Sequence, residues 1–344
     1  MMDDSRYEVL SFSPSYPIKK PSLSILLLDY IQHDFSTLAL NSVINQDLSY
    51  EDFELIILTD ERDNEVLSTV SLSRLNYMAI FTDLVSVGES LAIGAKVARG
   101  KIICPLDNDD EWTRGRLRII SQTFKAIPGL VFLKNEIQPI GNMARSSSRL
   151  SFYLRMNVPF RATGDMYELN DHTPRRIFGR SLSHNSSSMS IRKELLLADL
   201  NDISLIRAFP DSYLLFLSAS SGGRLFFLDE QLTLYRPRSD SLSSRGFRTD
   251  SSGSSLHAAQ RKQHLDAFKK KLTDCKSTRI LDLFFMFEIV SAILLTINGY
   301  TKERISISQM IRFLRISIDY GAHQFLFSVA LYFLYRLKNL VRQT

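Results

Sequence analysis

Residues 101–112 read KIICPLDNDDEW, an apolar segment that runs directly into a cluster of carboxylates. The segment from Ile102 to Leu106 predicts a buried strand. Residues two apart in an extended chain lie on one side, so Asp107 and Asp109 can point at one divalent cation while Asp110 faces elsewhere. Mg2+ and Mn2+ suit such oxygen ligands and can neutralise a diphosphate leaving group as Lewis acids. The alternative is an acidic surface turn before a helix, because Asp favours turns and caps.

Short apolar runs at three other places predict further strands. They are rich in Ile and Leu, as strands of a parallel sheet are, and lie at Leu23–Leu28, Phe53–Leu58 and Met78–Phe81. Residues 36–45 have the spacing of a helix, with Asp34 or Ser36 as the N-cap. The stretch from Glu89 to Arg99 predicts another helix, which we expect Gly100 to stop. This alternation predicts a doubly wound α/β sheet, in which ligands bind beyond the carboxyl ends of the strands.

Length and cysteine content are those of an intracellular α/β protein. A chain of 344 residues predicts one large α/β domain with an appendage rather than two equal halves. Cys104 and Cys275 are the only cysteines, show no metal-binding spacing and fit structural thiols in a reducing compartment. The first 24 residues contain acids and no sustained apolar run, so no secretory signal is visible. We therefore expect a cytoplasmic protein.

The net charge of +5 is unevenly distributed along the chain. Residues 256–344 hold 14 Lys and Arg against 6 Asp and Glu, whereas the remaining residues hold 28 against 31. A basic, hydrophobic C-terminal region beside a slightly acidic body favours an anionic membrane surface as a partner. No nucleic-acid-binding motif is present, so nucleic acid is not an expected partner.

The C-terminal region predicts helices at a membrane interface. Residues 280–297 are nearly continuously apolar, but Asp282 and Glu288 make a membrane-spanning helix costly. An amphipathic helix follows. Its apolar residues are Ile307, Met310, Ile311, Leu314 and Ile318, with Arg312 and Arg315 on another face. The aromatic segment from Phe325 to Tyr335 precedes Arg336, Lys338 and Arg342. Such helices lie in the cytosolic interface of a membrane, and the alternative is an ordinary helical contact in a core or dimer.

Two stretches lack the periodicity of helices and strands. Between residues 141 and 183 the chain is basic, which suits either an anionic acceptor or a solvated loop. Its arginines are Arg145, Arg149, Arg155, Arg161, Arg175, Arg176 and Arg180. Serines crowd residues 239–255, together with Gly246 and Gly253, and this composition predicts a mobile loop.

Five segments occur in the order and at the spacing of a known enzyme family. They read SILLLDY, LALNSVINQ, FELIILTD, ARGKIICPLDNDDEW and LTLYRPRSDSLS. Together they resemble the family 2 glycosyltransferases of the GT-A fold, over roughly residues 22–243. The resemblance implies a Rossmann-like α/β fold, with a mixed, mainly parallel sheet flanked by helices. The predicted domains are an N-terminal extension (1–21), the GT-A domain (22–243), a serine-rich mobile loop (244–256) and a helical, membrane-associating appendage (257–344).

The resemblance also implies a nucleotide-sugar donor, most readily a UDP-sugar. In the family an Asp-x-Asp element holds the metal, Mg2+ or Mn2+, and the nucleotide-sugar. The match places these roles on Asp107 and Asp109, with Asp110 beside them. The contact to the base and ribose falls on Asp60, and Tyr30 carries over from the motif at the end of the first strand.

The same resemblance implies a catalytic base and contacts to the diphosphate. Asp211, in the segment RAFPDSYLLFL, aligns with the base of inverting members. Such a carboxylate takes the proton of an acceptor hydroxyl as its oxygen attacks the anomeric carbon. The alternative is that Asp211 only caps the helix that begins at Ser212. Arg236 and Arg238 suit phosphate oxygens through their guanidinium geometry, whereas we interpret His184 as a polar loop residue.

We therefore predict an inverting, metal-assisted glycosyltransferase that acts on a glycan or lipid-linked saccharide. The sequence is compatible with a peripheral membrane contact and with a homo-oligomer. A sugar-phosphate nucleotidyltransferase would carry a glycine-rich signature after the first strand, and DYIQHDFST contains no glycine. A catalytically inactive relative that serves as a membrane-bound scaffold is the other alternative, since the chain departs from the family pattern at Ile31, Thr59, Pro210 and Arg238.

Overall fold

The computed structural model describes residues 7–14, 20–30, 33–83, 86–141, 163–178, 182, 184–206, 210–237, 265–266, 268–297 and 305–320. Several predicted features lie outside these residues. They are the serine-rich loop, the segment from Phe325 to Tyr335, Ile31, Arg238, and most of the arginines between residues 141 and 183.

The chain divides into two compact units. The first comprises Met1–Gly141, Ala162–Glu168 and Ser183–Arg236, and the second comprises Asn142–Arg161, Leu169–Leu182 and Pro237–Thr344. The boundaries of the four predicted domains stay predictions. Within the predicted N-terminal extension, residues 8–12 form a strand of the first unit.

The strands of the described residues form one mixed sheet. They are β1 (Glu8–Phe12), β2 (Leu23–Asp29), β3 (Phe53–Thr59), β4 (Tyr77–Phe81), β5 (Ile102–Asp107), β6 (Glu111–Trp112), β7 (Leu130–Pro139), β8 (Met166–Glu168), β9 (Met189–Arg192) and β10 (Arg224–Tyr235). Their order is β1-β4-β3-β2-β5-β9-β7-β10-β6, and β8 also pairs with β10. Strands β4, β3, β2 and β5 are parallel, as are β7 and β10, whereas β1, β6, β8 and β9 are antiparallel to their neighbours. The α/β prediction is confirmed, and each of the four predicted strands is correct to within one residue at either end.

The helices differ from the predictions mainly at their first turns. The α-helices are α1 (Ser36–Ile44), α2 (Glu65–Ser71), α3 (Val87–Val97), α4 (Arg116–Ala126), α5 (Arg175–Phe178), α6 (Lys193–Ala198), α7 (Leu200–Ser204), α8 (Pro210–Ser220), α9 (Thr278–Ile297) and α10 (Ile307–Asp319). The predicted caps of α1 are wrong, because Phe35 occupies the N-cap position without a side-chain bond. Ser36 instead donates its hydroxyl to Asp29 at the end of β2. Helix α3 begins earlier than predicted, since Ser86 accepts the backbone N–H of Glu89 as a cap.

Helices cover both faces of the parallel strands. On one face, side chains of β2 and β3 pack with α1, α2 and α4 in a single apolar core. Its fully buried members include Ile25, Leu40, Ile57, Val70 and Leu117. On the other face, Gly94 of α3 lies against Leu26, where an added Cβ atom would come within 2.6 Å of Leu26 Cδ1. The missing side chain therefore lets α3 approach β2 closely.

Gly100 contacts the central strand rather than stopping a helix. Helix α3 already ends at its C-cap Ala98, so the predicted role of Gly100 is wrong. The Gly100 backbone N–H donates to Ser24 Oγ at 2.8 Å and to Glu54 Oε1 at 3.2 Å. A Cβ atom on residue 100 would lie 2.5 Å from the carbonyl carbon of Leu23. The loop before β5 therefore fits against β2 because residue 100 has no side chain.

We expect Gly100→Ala to lower the free energy of unfolding by about 1–3 kcal/mol, the usual cost of overpacking. Two of the three atoms nearest to the new Cβ, Leu23 C and Ser24 N, belong to the backbone of the central strand and cannot rotate away. Chemical denaturation of both proteins measures the difference. Gly115→Ala is the control, because its new Cβ would meet two side-chain ends, the flexible Arg118 guanidinium at 3.3 Å and Ile119 Cδ1 at 3.7 Å. Equal losses in the two variants would contradict this account of Gly100.

In the second unit, two acidic side chains of the long apolar helix α9 are paired with other side chains. Within α9, Asp282 accepts hydrogen bonds from Arg312 at 3.0 Å and from Tyr320 at 2.8 Å. Glu288 of the same helix forms an ion pair with Lys269. Across the described parts of the chain, no helix combines the length and the apolar character needed to cross a membrane.

Helix α10 is amphipathic, as predicted, and three of its five predicted apolar residues are exposed. The buried side chains are Met310, Phe313, Ile316 and Ser317. By contrast, Ile307, Ile311 and Ile318 are 81%, 61% and 60% exposed. The predicted face mixed residues from two sides, because α10 carries apolar residues on both. One side packs within the unit, and the other presents isoleucines to solvent.

Candidate active site

The acidic cluster forms a turn at the carboxyl end of β5. The backbone N–H of Asp110 donates to the carbonyl of Asp107 at 3.1 Å. The chain therefore bends between Asp107 and Asp109, and the predicted alternation of an extended strand does not apply. Asp107 and Asp109 are half-buried, whereas Asp110 is only 1% exposed. Burial and the charges of its two neighbours raise the pKa of Asp110 well above its ordinary value. We call residues 107–110 the acidic turn.

Serines 186–188 form a short 3-10 helix that binds the acidic turn. Ser186 donates its hydroxyl to Asp107 Oδ2 at 2.8 Å, and Ser187 Oγ accepts the Asp107 backbone N–H at 3.0 Å. The Ser187 carbonyl accepts the indole N–H of Trp112 at 2.8 Å. Burial raises the pKa of Asp107, and the serine hydrogen bonds oppose that rise. Sequence reasoning missed this segment, whose one signal is the polar run SHNSSS directly before an apolar strand.

Asn185 joins the acidic turn to the predicted base. Its side-chain amide donates to Asp110 Oδ2 at 2.6 Å, and its backbone N–H donates to Asp211 Oδ2 at 2.9 Å. Asn185 is buried and has a positive φ of 67°. The structure thus brings Asp110 and Asp211, which are far apart in sequence, into one hydrogen-bonded arrangement.

Asp211 lies in the first turn of α8, where 13% of its side chain is exposed. Its second oxygen accepts the backbone N–H of Ser212 at 2.8 Å. Burial raises the pKa of Asp211 to about 6. The charge of Asp107 adds to this rise, whereas the two backbone hydrogen bonds and Lys134 oppose it. Such a carboxylate is ionised at neutral pH yet more basic than usual, which suits a proton acceptor.

His184 lies in a loop, as predicted, and also lies beside Asp211. Its Nδ1 atom is 3.9 Å from Asp211 Oδ2, and its ring packs edge-on against Tyr235. Burial and the charge of Lys134 lower the pKa of His184 to about 4. The imidazole is therefore neutral at pH 7 and adjoins Asp211 as a polar group rather than as a cation.

Two buried cations belong to the same region and were not predicted. Lys134 of β7 is 2% exposed and donates to Ser188 Oγ at 2.8 Å. Arg116 of α4 is fully buried, donates to Asn135 Oδ1 at 3.0 Å and stacks over Trp112. Burial lowers the pKa of Lys134 to about 8 and that of Arg116 to about 10. Both groups are predominantly protonated at pH 7, and the positive charge of Lys134 interacts with Glu136 and Asp211.

The side chain of Asp29, at the end of β2, accepts hydrogen bonds from several segments of the chain. It is fully buried and accepts hydrogen bonds from His33, Ser36, Asn64 and Asn108. Asn64 is the N-cap of α2, and Asn108 belongs to the acidic turn. The ends of β2 and β5 are therefore tied together by side chains as well as by their strand pairing.

Tyr30 and Asp60, the predicted nucleotide contacts, lie near these strand ends. Burial and the negative charges of the acidic turn and of Asp60 raise the pKa of Tyr30 well above its ordinary value. Asp60 is about one-third exposed, and His33 Nε2 lies 3.2 Å from its Oδ1 atom. Burial alone would lower the pKa of His33, but the hydrogen bond to Asp29 and the nearby acids raise it. The predicted contacts thus lie in one acidic environment.

Arg236 is held against the acidic turn. Its backbone N–H donates to Asp110 Oδ1 at 3.0 Å, and its Nε donates to the Asp109 carbonyl at 3.2 Å. Its Nη2 pairs with Glu111 at 2.6 Å, and the guanidinium stacks over Phe35. These contacts fix a cation at the edge of the turn, and its predicted contact with the diphosphate stays a prediction.

The acidic turn is suited to a cation that is bound by protein carboxylates and by a phosphate at the same time. Among the residues described, no group of three or more His, Cys, Asp or Glu side chains could hold a metal ion. Asp107 and Asp109 nevertheless supply the carboxylate oxygens that Mg2+ and Mn2+ prefer. Mg2+ commonly binds through one or two carboxylates, with substrate phosphates and water completing its shell. The donor set therefore fits an ion that arrives with a phosphate ligand.

The segment that contains the acidic turn matches a known protein family. Residues 37–161 match the family model described as Glycosyl transferase family 2. The chain is a glycosyltransferase, and this segment of it belongs to family 2. The family match includes the acidic turn and both buried cations, whereas Asn185 and Asp211 lie beyond its last residue. A comparison with curated proteins finds no match.

The fold of the chain is similar to solved structures of TarS from S. aureus. For TarS 1-349 the TM-score is 0.56 at 15% identity, covering 94% of this chain and 91% of that chain. For TarS 1-349 in complex with UDP-GlcNAc it is 0.59 at 14% identity, covering 94% and 92%. A longer TarS structure gives 0.55 at 14% identity, covering 87% of this chain and 48% of that chain. These likenesses confirm the predicted GT-A fold.

Proposed function

We propose that the protein is an inverting glycosyltransferase that moves a sugar from a nucleoside-diphosphate donor to a glycan or lipid-linked saccharide. The observation that carries this proposal is the connection of Asp211 to the acidic turn through Asn185. Sugar transfer needs a proton acceptor for the incoming hydroxyl and a site for the departing diphosphate. The connection between Asp211 and the acidic turn supplies both within one buried arrangement.

A UDP-sugar is the donor that we favour. TarS, which has a similar fold, is described in complex with UDP-GlcNAc and with UDP. In this chain, Tyr30 and Asp60 lie near the carboxyl ends of β2 and β3, where an open α/β sheet binds its ligands. We assign them to the nucleoside and assign Arg236, with Arg238 beyond it in the chain, to the diphosphate.

Asp107 and Asp109 would hold Mg2+ or Mn2+ together with the diphosphate oxygens. When bound, such an ion stabilises the negative charge that develops on the leaving group. Asp110 has a different task, because its carboxylate already accepts hydrogen bonds from Asn185 and Arg236. We assign it to holding the shape of the acidic turn, which positions its two neighbours.

The transfer is a single displacement at the anomeric carbon. Asp211 accepts the proton of the acceptor hydroxyl as the hydroxyl oxygen forms its bond to that carbon. The bond from the carbon to the diphosphate breaks on the opposite side, and the diphosphate leaves with the electron pair. Attack opposite the leaving group inverts the configuration. His184 lies beside Asp211 and is neutral at pH 7. It therefore has no imidazolium proton to give to Asp211 in place of the proton of the acceptor hydroxyl.

We expect Asp211→Asn to reduce kcat about a hundredfold to ten-thousandfold, the usual contribution of a general base. Donor affinity should be retained, because Asp211 acts on the acceptor hydroxyl. Steady-state transfer assays and nucleotide titrations measure the two effects separately. Asp202→Asn, an exposed acid on α7, is the control. Undiminished turnover of Asp211→Asn would exclude this residue as the base.

The pH profile provides a second readout of the same assignment. Because the pKa of Asp211 is raised to about 6, kcat/KM should be high above pH 6 and fall as the pH drops through that value. Protonation removes the lone pair that accepts the acceptor proton. This limb of the profile should disappear in the residual activity of Asp211→Asn.

Thermal shifts with nucleoside diphosphates and their sugars test the donor site. We expect a rise in Tm for uridine ligands in the presence of Mn2+, and loss of that rise in Asp109→Ala. Ligand at a hundredfold excess over its Kd stabilises a protein by about 2.7 kcal/mol. Glu51→Ala, which removes an exposed acid just before the amino end of β3, should keep the wild-type response. Absence of any nucleotide response would favour an inactive scaffold over the proposed enzyme.

We also propose that the second unit binds the cytosolic face of a membrane through α10. The exposed residues Ile307, Ile311 and Ile318 are spaced so that they share one side of the helix. Arg315 is also exposed, and the sequence of this region carries excess positive charge. Exposed apolar and basic side chains on one helix suit the headgroup region of an anionic membrane.

Flotation of the full chain with liposomes tests this membrane contact. We expect binding to vesicles that contain phosphatidylserine, and at least a tenfold loss when Ile307, Ile311 and Ile318 are replaced by Ser. Leu72→Ser is the control, since Leu72 is 89% exposed and belongs to the first unit. Unchanged flotation of the triple variant would exclude the contact. A change in sedimentation mass instead would assign this side of α10 to a homo-oligomer.

A further inference from the structure

Asn185 binds two carboxylates at once with two different donors. The backbone N–H reaches Asp211 and the side-chain amide reaches Asp110, at 2.9 and 2.6 Å. The residue is 5% exposed, so water does not readily replace either bond. Charged acceptors make such hydrogen bonds stronger than bonds between neutral groups. Asn185 is therefore a short and rigid link between the base and the acidic turn.

The backbone conformation of Asn185 is unusual. Its φ of 67° is the single positive φ of a non-glycine residue among the described residues. The left-handed region costs most residues roughly 1–2 kcal/mol, and Asn enters it more readily than others. A right-handed backbone would redirect the N–H relative to the side chain, so one residue could no longer reach both carboxylates. Asn185 therefore needs its strained backbone conformation in order to bind both carboxylates.

Buried groups also hold the carbonyl group of Asn185 by hydrogen bonds. The Asn185 carbonyl accepts the Ser188 hydroxyl at 2.7 Å, and Ser188 Oγ in turn accepts from Lys134 Nζ at 2.8 Å. Lys134 and Ser188 are both buried. This chain of hydrogen bonds starts from the sheet strand β7 and ends on the two site carboxylates. The link is thus anchored to β7, an interior strand of the sheet.

We propose that Asn185 is a positioning residue that fixes the distance between the base Asp211 and the acidic turn that holds the donor. The proposal rests on the proposed function. The acceptor oxygen must fit between the base and the anomeric carbon, and a displacement of about 1 Å at such a site can reduce the rate about a hundredfold. A link that sets this distance affects turnover more than it affects donor binding.

Three variants separate positioning from stability. Asn185→Gly keeps the left-handed backbone and its N–H but removes the amide bound to Asp110. We expect its kcat to fall about 10–100-fold, as for outer partners of catalytic groups, with nucleotide affinity changed less than threefold. Asn185→Ala also opposes the backbone conformation and should lose more activity. Gly222→Ala is the matched control, because Gly222 has φ 72° and open space around it, so Tm should fall and kcat should stay.

An NMR experiment tests the link without any activity. In the full chain labelled with 15N-asparagine, the Asn185 backbone amide is identified by its absence in Asn185→Gly. Its chemical shift should show a step at the ionisation of Asp211 that is absent in Asp211→Asn, whereas any step caused by Asp110, which the Asn185 side chain contacts, should remain. Lys134, His184 and Asp107 also influence Asp211, but they keep their identities in that variant.

The outcomes of the two experiments are distinguishable. A kcat of Asn185→Gly within twofold of wild type, or an amide that ignores Asp211, overturns the positioning role. Equal losses of kcat in Asn185→Ala and Gly222→Ala also overturn it, because strain alone would then explain the effect. A wild-type protein that transfers no sugar refutes the proposed function, and the amide titration then decides by itself whether Asn185 links the two carboxylates.

Discussion

The buried carboxylate of Asp29 is the constraint on which the arrangement of the first unit depends. A buried charge is tolerated only when hydrogen-bond donors surround it. Here the donors come from His33, Ser36, Asn64 and Asn108, which belong to the loop after β2, to α1, to the start of α2 and to the acidic turn. Satisfying this one carboxylate therefore fixes the positions of the segments that follow β2, β3 and β5. It also explains why Ser36 does not cap its own helix.

Charge balance accounts for the buried cations beside an acidic site. Burial raises the pKa of Asp211, and Lys134 lowers it, while Asp211 in turn raises the pKa of Lys134. Each group thus keeps the other charged in an environment that would otherwise neutralise both. The basicity of the proposed catalytic group is consequently set in part by Lys134, whose own hydrogen bonds go to Ser188 and to the backbone of Asn135.

The sequence was informative where the physical signal is local. The parallel strands were predictable because buried strands need continuous Ile and Leu, and the acidic turn was visible because three carboxylates follow such a strand. The packed face of α10 was not predictable, since Ile311 and Phe313 are both apolar and only tertiary packing leaves one exposed. Asp211 was found through family resemblance, as nothing in its neighbourhood distinguishes it from a helix cap. Asn185 was missed because neither a positive φ nor a contact between residues 75 positions apart produces a periodic pattern in the sequence.

The pairing of β10 gives the first unit a particular order of assembly. Strand β10 aligns Thr233 with Trp112, and the next residues place Arg236 against Asp110, 126 positions earlier in the chain. Contacts that close such long loops form late in folding, because their entropic cost is incurred before they stabilise the chain. During synthesis, the four parallel strands within residues 23–107 emerge after β1 and well before β10, and they can pair among themselves. The growing polypeptide therefore contains these strands and the acidic turn well before it contains Arg236, and the contacts of Arg236 with that turn can form only after β10 has been synthesised.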